Sequence, residues 1–163
     1  TVHRIIGFQR RLVESGAFKN PRSHIYYLPE LYSAYFGRCH AAFMALPDAA
    51  QRAIDPDGAF AFIRGKVLAY VEGELIAREM NPFDAALALM ALAHLGADVS
   101  TFAPALNCIT AHLGEGGRHG PYKAYEWNKM KTPTRILGGG PEVTSAFVLM
   151  GLALARKAMA ENA

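Results

Sequence analysis

Residues 81–96 read NPFDAALALMALAHLG. Asparagine followed by proline is helix-start chemistry. An Asn81 side chain can accept from the first free backbone N–H groups, and Pro82 suits the first helical position, where no N–H is needed. Gly96 suits the left-handed position that closes a helix. Between these two stops the only polar residues are Asp84 and His94. A helix that is apolar nearly all round must be covered nearly all round. The stretch therefore predicts a helix over 82–95, with Leu87, Leu89 and Leu92 in the core.

The same punctuation recurs on both sides. Ile5, Ile6, Phe8, Leu12 and Val13 sit among arginines and predict an amphipathic helix over 2–15. Pro29 opens a second over 29–46. A short helix follows in PDAAQRAIDPDG, ended by Asp-Pro-Asp-Gly turn chemistry. Further helices are expected over 59–78, 101–112 and 141–160, the last with Val148, Leu149 and Leu152 in the core. Alternating apolar and polar runs are almost absent, so no strand is expected. The irregular stretch 114–137 is long for a compact domain and is either functional or conceals an element. The fold class is all-α, built as antiparallel helical hairpins, in a single domain over 1–163.

Composition narrows the function. The chain is 52% apolar, which favours a packed core over disorder. A net charge of +3, with basic residues scattered rather than striped, argues against nucleic-acid binding. Cys39 and Cys108 form no metal-site spacing and no disulfide framework, which points to a reducing, cytoplasmic setting. No apolar run reaches the roughly 18 residues of a membrane span; the nearest approach is 83–96. The chain starts with Thr1 rather than methionine, as a piece of a longer protein would.

GGGPEVTSAFVLMGLALARKA, residues 138–158, poses a choice between an anion cradle and a tight helix entrance. A phosphate loop needs Lys and Ser/Thr after its last glycine, whereas Pro141 and Glu142 follow here. Glu142 already supplies a carboxylate at the positive helix end. The helix-entrance reading is the stronger. The run Val143-Thr144-Ser145-Ala146-Phe147-Val148-Leu149 behind it resembles the last inner helix in repeats of the squalene–hopene cyclases and the protein prenyltransferases. NPFDAALALMALAHLGAD resembles another such helix, and YYLPELYSAYFGRC, residues 26–39, is similar to the tyrosine-bearing helix starts of these families. The resemblance implies an α/α toroid, in which helical hairpins ring an apolar cavity. It also implies an apolar, polyisoprenoid-like ligand, with Phe83, Tyr26 and Tyr27 near it. The cyclases' Asp-x-Asp-Asp motif, their Gln-Trp repeat motif and the prenyltransferase zinc ligands do not occur. Thr144 stands where a zinc-binding histidine would be. A complete toroid needs about twice as many helices, so the resemblance implies a partner: a second copy or a missing half-domain.

Four groups of residues could carry chemistry. Asp84, in the first turn of its helix, is either a complement to the helix dipole or a carboxyl at a cavity mouth, able to donate a proton. GRHGPYKAYEWNK, residues 117–129, gathers Tyr122, Tyr125 and Trp127, which either line an apolar pocket or pack the loop down. Cys108 and His112 share a helix face and could ligate a metal with His119, although their spacing is equally that of a buried thiol and a surface histidine. Glu72, Glu74, Arg78 and Glu79 read as a solvated charged edge. No cofactor and no metal are expected. The function expected is apolar-ligand binding without independent catalysis, in the cytoplasm or at a membrane periphery. The alternative is a noncatalytic helical-repeat module for protein interaction.

Overall fold

The computed structural model describes residues 2–20, 28–114, 119–120, 122, 125–128, 135–138 and 140–162, with backbone alone for 125–128 and 135–138. The fold is all-α. In chain order the helices are α1 (Val2–Glu14), α2 (Pro29–Met44), α3 (Asp48–Ile54), α4 (Ala59–Tyr70), α5 (Pro82–Leu95), α6 (Ala103–Ala111) and α7 (Pro141–Glu161). The expectation of no strand needs one correction. Tyr125–Asn128 and Arg135–Gly138 pair as an antiparallel ribbon, β1 and β2, with Trp127 opposite Ile136. Four residues per strand are too few to show alternation, so periodicity could not reveal them.

The local chemistry read at α5 is present. Asn81 Oδ1 accepts from the N–H groups of Phe83 and Asp84 at 2.9 and 3.0 Å. At the other end the Ala97 N–H reaches back to the Leu92 carbonyl, and Arg64 of α4 donates to the Leu95 carbonyl at 2.8 Å. Both carboxylate oxygens of Asp55 accept from the first N–H groups of α4 at 2.8 Å, so the Asp-Pro-Asp-Gly turn also caps the next helix. That helix does not run regularly to 78. Val71–Leu75 forms a π turn in which Ile76 donates to the Val71 carbonyl. Val71 and Leu75 of this turn are both fully buried and join the main core.

α5 is buried on both its broad faces. Leu89, Leu92 and Leu95 join the main core with residues of α4, α6 and the π turn. Phe83, Leu87 and Met90, on the opposite side of the same helix, form a second cluster with Leu31 and Ala34 of α2. α2 and α7 flank α5 at close range. A Cβ on Gly37 would lie 3.2 Å from His94 Cβ, and one on Gly151 would lie 2.9 Å from the Ala86 carbonyl. No larger residue fits at Gly151 without moving α7.

These contacts also fix direction. Leu31 and Ala34 cluster with Phe83 and Leu87, while Gly37 meets Ala91 and His94, so α2 and α5 run parallel. Phe147 meets Phe83 and Gly151 meets Ala86, so α7 runs parallel to them too. α4 runs the other way: Phe60 stacks on Phe43, and Arg64 reaches the end of α5. α6 does likewise, with Cys108 donating to the Met80 carbonyl just before α5 begins. The result is a row of three parallel helices, α2–α5–α7, backed by counter-running helices.

Two core expectations for α7 need revision. Val148 is buried, but Leu149 is 68% exposed and Leu152 only half-buried. The buried stripe of α7 is Thr144, Val148, Gly151 and Ala155, one face meeting α5. Leu149 lies on the far side of the helix from that stripe. Among the described residues α7, at 21 residues and mean hydropathy 1.4, is also long and apolar enough to cross a membrane by length and composition, which corrects the reading that no run was.

Candidate functional site

Three places hold the chemistry of the chain. The first is the side of the helix row away from the backing helices. Phe83, Leu87 and Met90 of α5 meet Leu31 and Ala34 of α2, and Phe147 and Leu154 of α7 pack at the margin. Tyr122 and Leu28 lie over this cluster, both half-buried. The Phe147 and Phe83 rings meet edge to face, 5.1 Å between centroids. Phe83 and Tyr122, expected near a ligand on different grounds, thus share one apolar surface. Tyr26 and Tyr27 lie outside the described residues, and of Tyr125 and Trp127 only the strand backbone is described.

The second place is the end of the row where α2 and α5 begin. Arg78 binds Glu30 of α2 and faces Asp84 of α5 at 3.9 Å. Asp84 also accepts from Asn81 Nδ2 at 2.9 Å. Glu30 has a side chain only 5% exposed, whereas that of Arg78 is 45% exposed. Arg78 is therefore more than part of a solvated edge: half-exposed, it pairs with one buried carboxylate and approaches a second. Arg78 thus links the starts of α2 and α5 through their first-turn carboxylates. Burial and, next, Glu30 push the nearby Tyr70 hydroxyl up to about 12. Glu30 had no distinguishing signal in the sequence, since a first-turn glutamate is ordinary helix chemistry. Of the acids on the expected edge, Glu74 pairs with Lys19, and Glu79 is exposed.

The third is an open groove of about 610 Å³ between α1, α2 and α4. Ile5, Phe8 and Leu12 form one wall, Tyr32, Tyr35 and Cys39 the other, and Phe60 and Ile63 lie in its lining from α4. Its main internal polar link is Tyr32 Oη donating to Gln9 Oε1 at 3.0 Å. Burial raises the Tyr32 hydroxyl well beyond its ordinary value, so it stays a neutral donor. No pattern in the sequence pointed to this groove, because its walls come from helices distant along the chain.

The remaining candidates resolve as packing. His112 Nδ1 lies 2.9 Å from the Cys108 carbonyl and 3.9 Å from its sulfur. Burial and then Asp84 push the Cys108 thiol up, away from the thiolate that a metal or a nucleophilic step would need. Among the described residues no group of three His, Cys, Asp or Glu side chains could hold a metal. His119 and Thr144 are buried, and His119 Nδ1 and Thr144 Oγ1 have no hydrogen-bond partner among the described residues. His94 is half-buried, and burial, then Arg38 and Lys157, lowers its pKa. Comparison with known protein families, curated proteins and solved structures finds no match for this chain.

Proposed function

We propose that this chain is one sector of an α/α toroid, that its inner face holds an apolar, polyisoprenoid-like molecule, and that it performs no chemistry alone. The observation that carries this reading is the row α2–α5–α7. Three parallel helices stand side by side, with their reversed partners on one side and an apolar cluster on the other. The resemblance of residues 81–98 and 138–156 to inner toroid helices supports the same arrangement. On this reading Tyr122 is a cover residue over Phe83, Leu87 and Met90, and an apolar chain would take its place or lie against it. Asp84 serves as an anchor at the mouth rather than as an acid, because Arg78 and Asn81 already engage it. Apolar contact would contribute roughly 25 cal/mol per Å² before the costs of association.

A second reading, a noncatalytic helical-repeat module that binds protein, draws on the groove. Its walls are apolar, and Ile5 and Phe8 are 57% and 54% exposed. The experiment that separates the two is a titration of a short polyprenyl alcohol followed by Trp127 emission, with calorimetry as a second readout. Saturable binding that weakens in Tyr122→Ala and persists in Phe8→Ala supports the inner face. Weakening in Phe8→Ala instead moves the ligand to the groove. A folded chain that binds no apolar alcohol by either readout removes the ligand reading and leaves the interaction module.

A further inference from the structure

We infer, resting on the ligand reading above, that the apolar molecule held on the inner face carries an anionic head and that Arg38, His94 and Lys157 receive it. The inner stripe of each row helix leads to a base. On α2 the stripe of Leu31 and Ala34 continues to Arg38. On α5 the stripe of Phe83, Leu87 and Met90 continues to His94. On α7 the stripe of Phe147 and Leu154 continues to Lys157. The close approaches set the levels of these parallel helices. Gly37 lies beside Ala91 and His94, and Gly151 lies beside Ala86. Counting along from those two glycines puts Arg38 and Lys157 near the level of Leu92 to His94, one on each side of α5.

Complementing helix ends does not account for all three bases. That effect is confined to the last turn, and neither Arg38 nor Lys157 lies in the last turn of its helix. Acids do not hold them firmly either. Arg38 has no ion-pair partner among the described residues. Lys157 pairs with Glu161 of its own helix at 3.7 Å, and both side chains are largely exposed. A pair of that kind contributes little and yields to a ligand anion. The three bases also act on one another. Burial, then Arg38 and Lys157, lowers the His94 pKa, and an anion brought to this place relieves that repulsion. The opposite end of the face has the other sign, because Glu30 and Asp84 share Arg78 there. An anionic chain along Phe83, Leu87 and Met90 therefore has one favourable direction, with its head toward His94. Bases from three helices can donate to several oxygens of one head, which favours a phosphate monoester over a carboxylate.

The test is calorimetry with a short polyprenyl alcohol and its phosphate monoester, both below their micelle-forming concentrations. The monoester should bind wild type about tenfold or more tighter than the alcohol. Arg38→Gln with Lys157→Gln should remove most of that advantage and leave the affinity for the alcohol as it was. Both side chains are exposed, and unchanged circular dichroism should verify the fold. Arg11→Gln with Lys66→Gln, at exposed positions on α1 and α4, makes the same change in charge away from the row and should keep the advantage. Equal affinity for alcohol and monoester overturns the head site and leaves the ligand reading standing. An advantage that survives Arg38→Gln with Lys157→Gln overturns it too, as does one lost equally in the Arg11 and Lys66 variant. Inorganic phosphate that binds as tightly as the monoester makes the bases a free-anion site and overturns the amphiphile. If the alcohol does not bind, the ligand reading fails and this inference fails with it.

Discussion

Glu30 and Arg78 show how a single charge pair can be structural without being inert. Arg78 is exposed on one side and meets a nearly buried carboxylate on the other. Replacing it by methionine keeps the stem but leaves Glu30 without its partner. We expect a loss of about 1–3 kcal/mol, between the values for exposed and fully buried pairs. Urea unfolding would measure it, and Glu30→Gln in the same background should recover part of the loss; if it recovers nothing, the pair is not the cause. His40 gives a pH signature. Burial, then Arg64, lowers its pKa from 6.5, against a hydrogen bond to the His94 backbone that raises it, and His94 is lowered as well. The unfolded chain therefore binds these protons first. The stability they confer is complete above about 6.5 and falls as pH drops through the lower folded values. Thermal melts from pH 7.5 to 5 should show a downward slope that is shallower in His40→Asn; an equal slope would exclude His40 as a contributor.

At the scale of elements, α5 and α7 carry similar compositions into different environments. Leu92 of α5 is fully buried, and Leu92→Ala should cost about 2–5 kcal/mol. Leu149→Ala should stay within about 0.5 kcal/mol of wild type, because that side chain faces outward. Gly151→Leu should be worse than either alanine substitution in proportion to the atoms changed, since its first added carbon already meets the Ala86 carbonyl. Chemical denaturation of the three variants side by side checks the order, and a stable Gly151→Leu would mean that α7 is not held where it lies. The helix starts at Pro29, Pro82 and Pro141 were legible because cap chemistry is local. The ribbon β1–β2 and the π turn were not. The first depends on pairing between segments, and the second on one N–H, that of Ile76, reaching the Val71 carbonyl five residues back.

Across the whole molecule, the arrangement of helices separates surfaces that look alike in sequence. The inner face of the row, the groove and the outer face of α7 are all alanine- and leucine- or aromatic-rich. One is covered by Tyr122, one is an open furrow and one is a bare ridge. Exposed apolar patches mark contact surfaces when they are large and contiguous.

The sequence by itself determined the all-α class, the helix starts and the burial of α5, because each follows from interactions within a few residues or from a helix with no polar side to expose. It also brought Phe83 and Tyr122 forward, although not as neighbours. Only the tertiary structure decided which side of α7 is buried: the stripe Thr144, Val148, Gly151 and Ala155 includes the glycine that meets Ala86, while the more apolar Leu149 is left exposed. It alone joined Glu30 to Arg78 across the chain and opened a groove between α1, α2 and α4. Hydrophobic patterning says how much of a helix must be covered. Shape, through glycine at two close approaches, says by what.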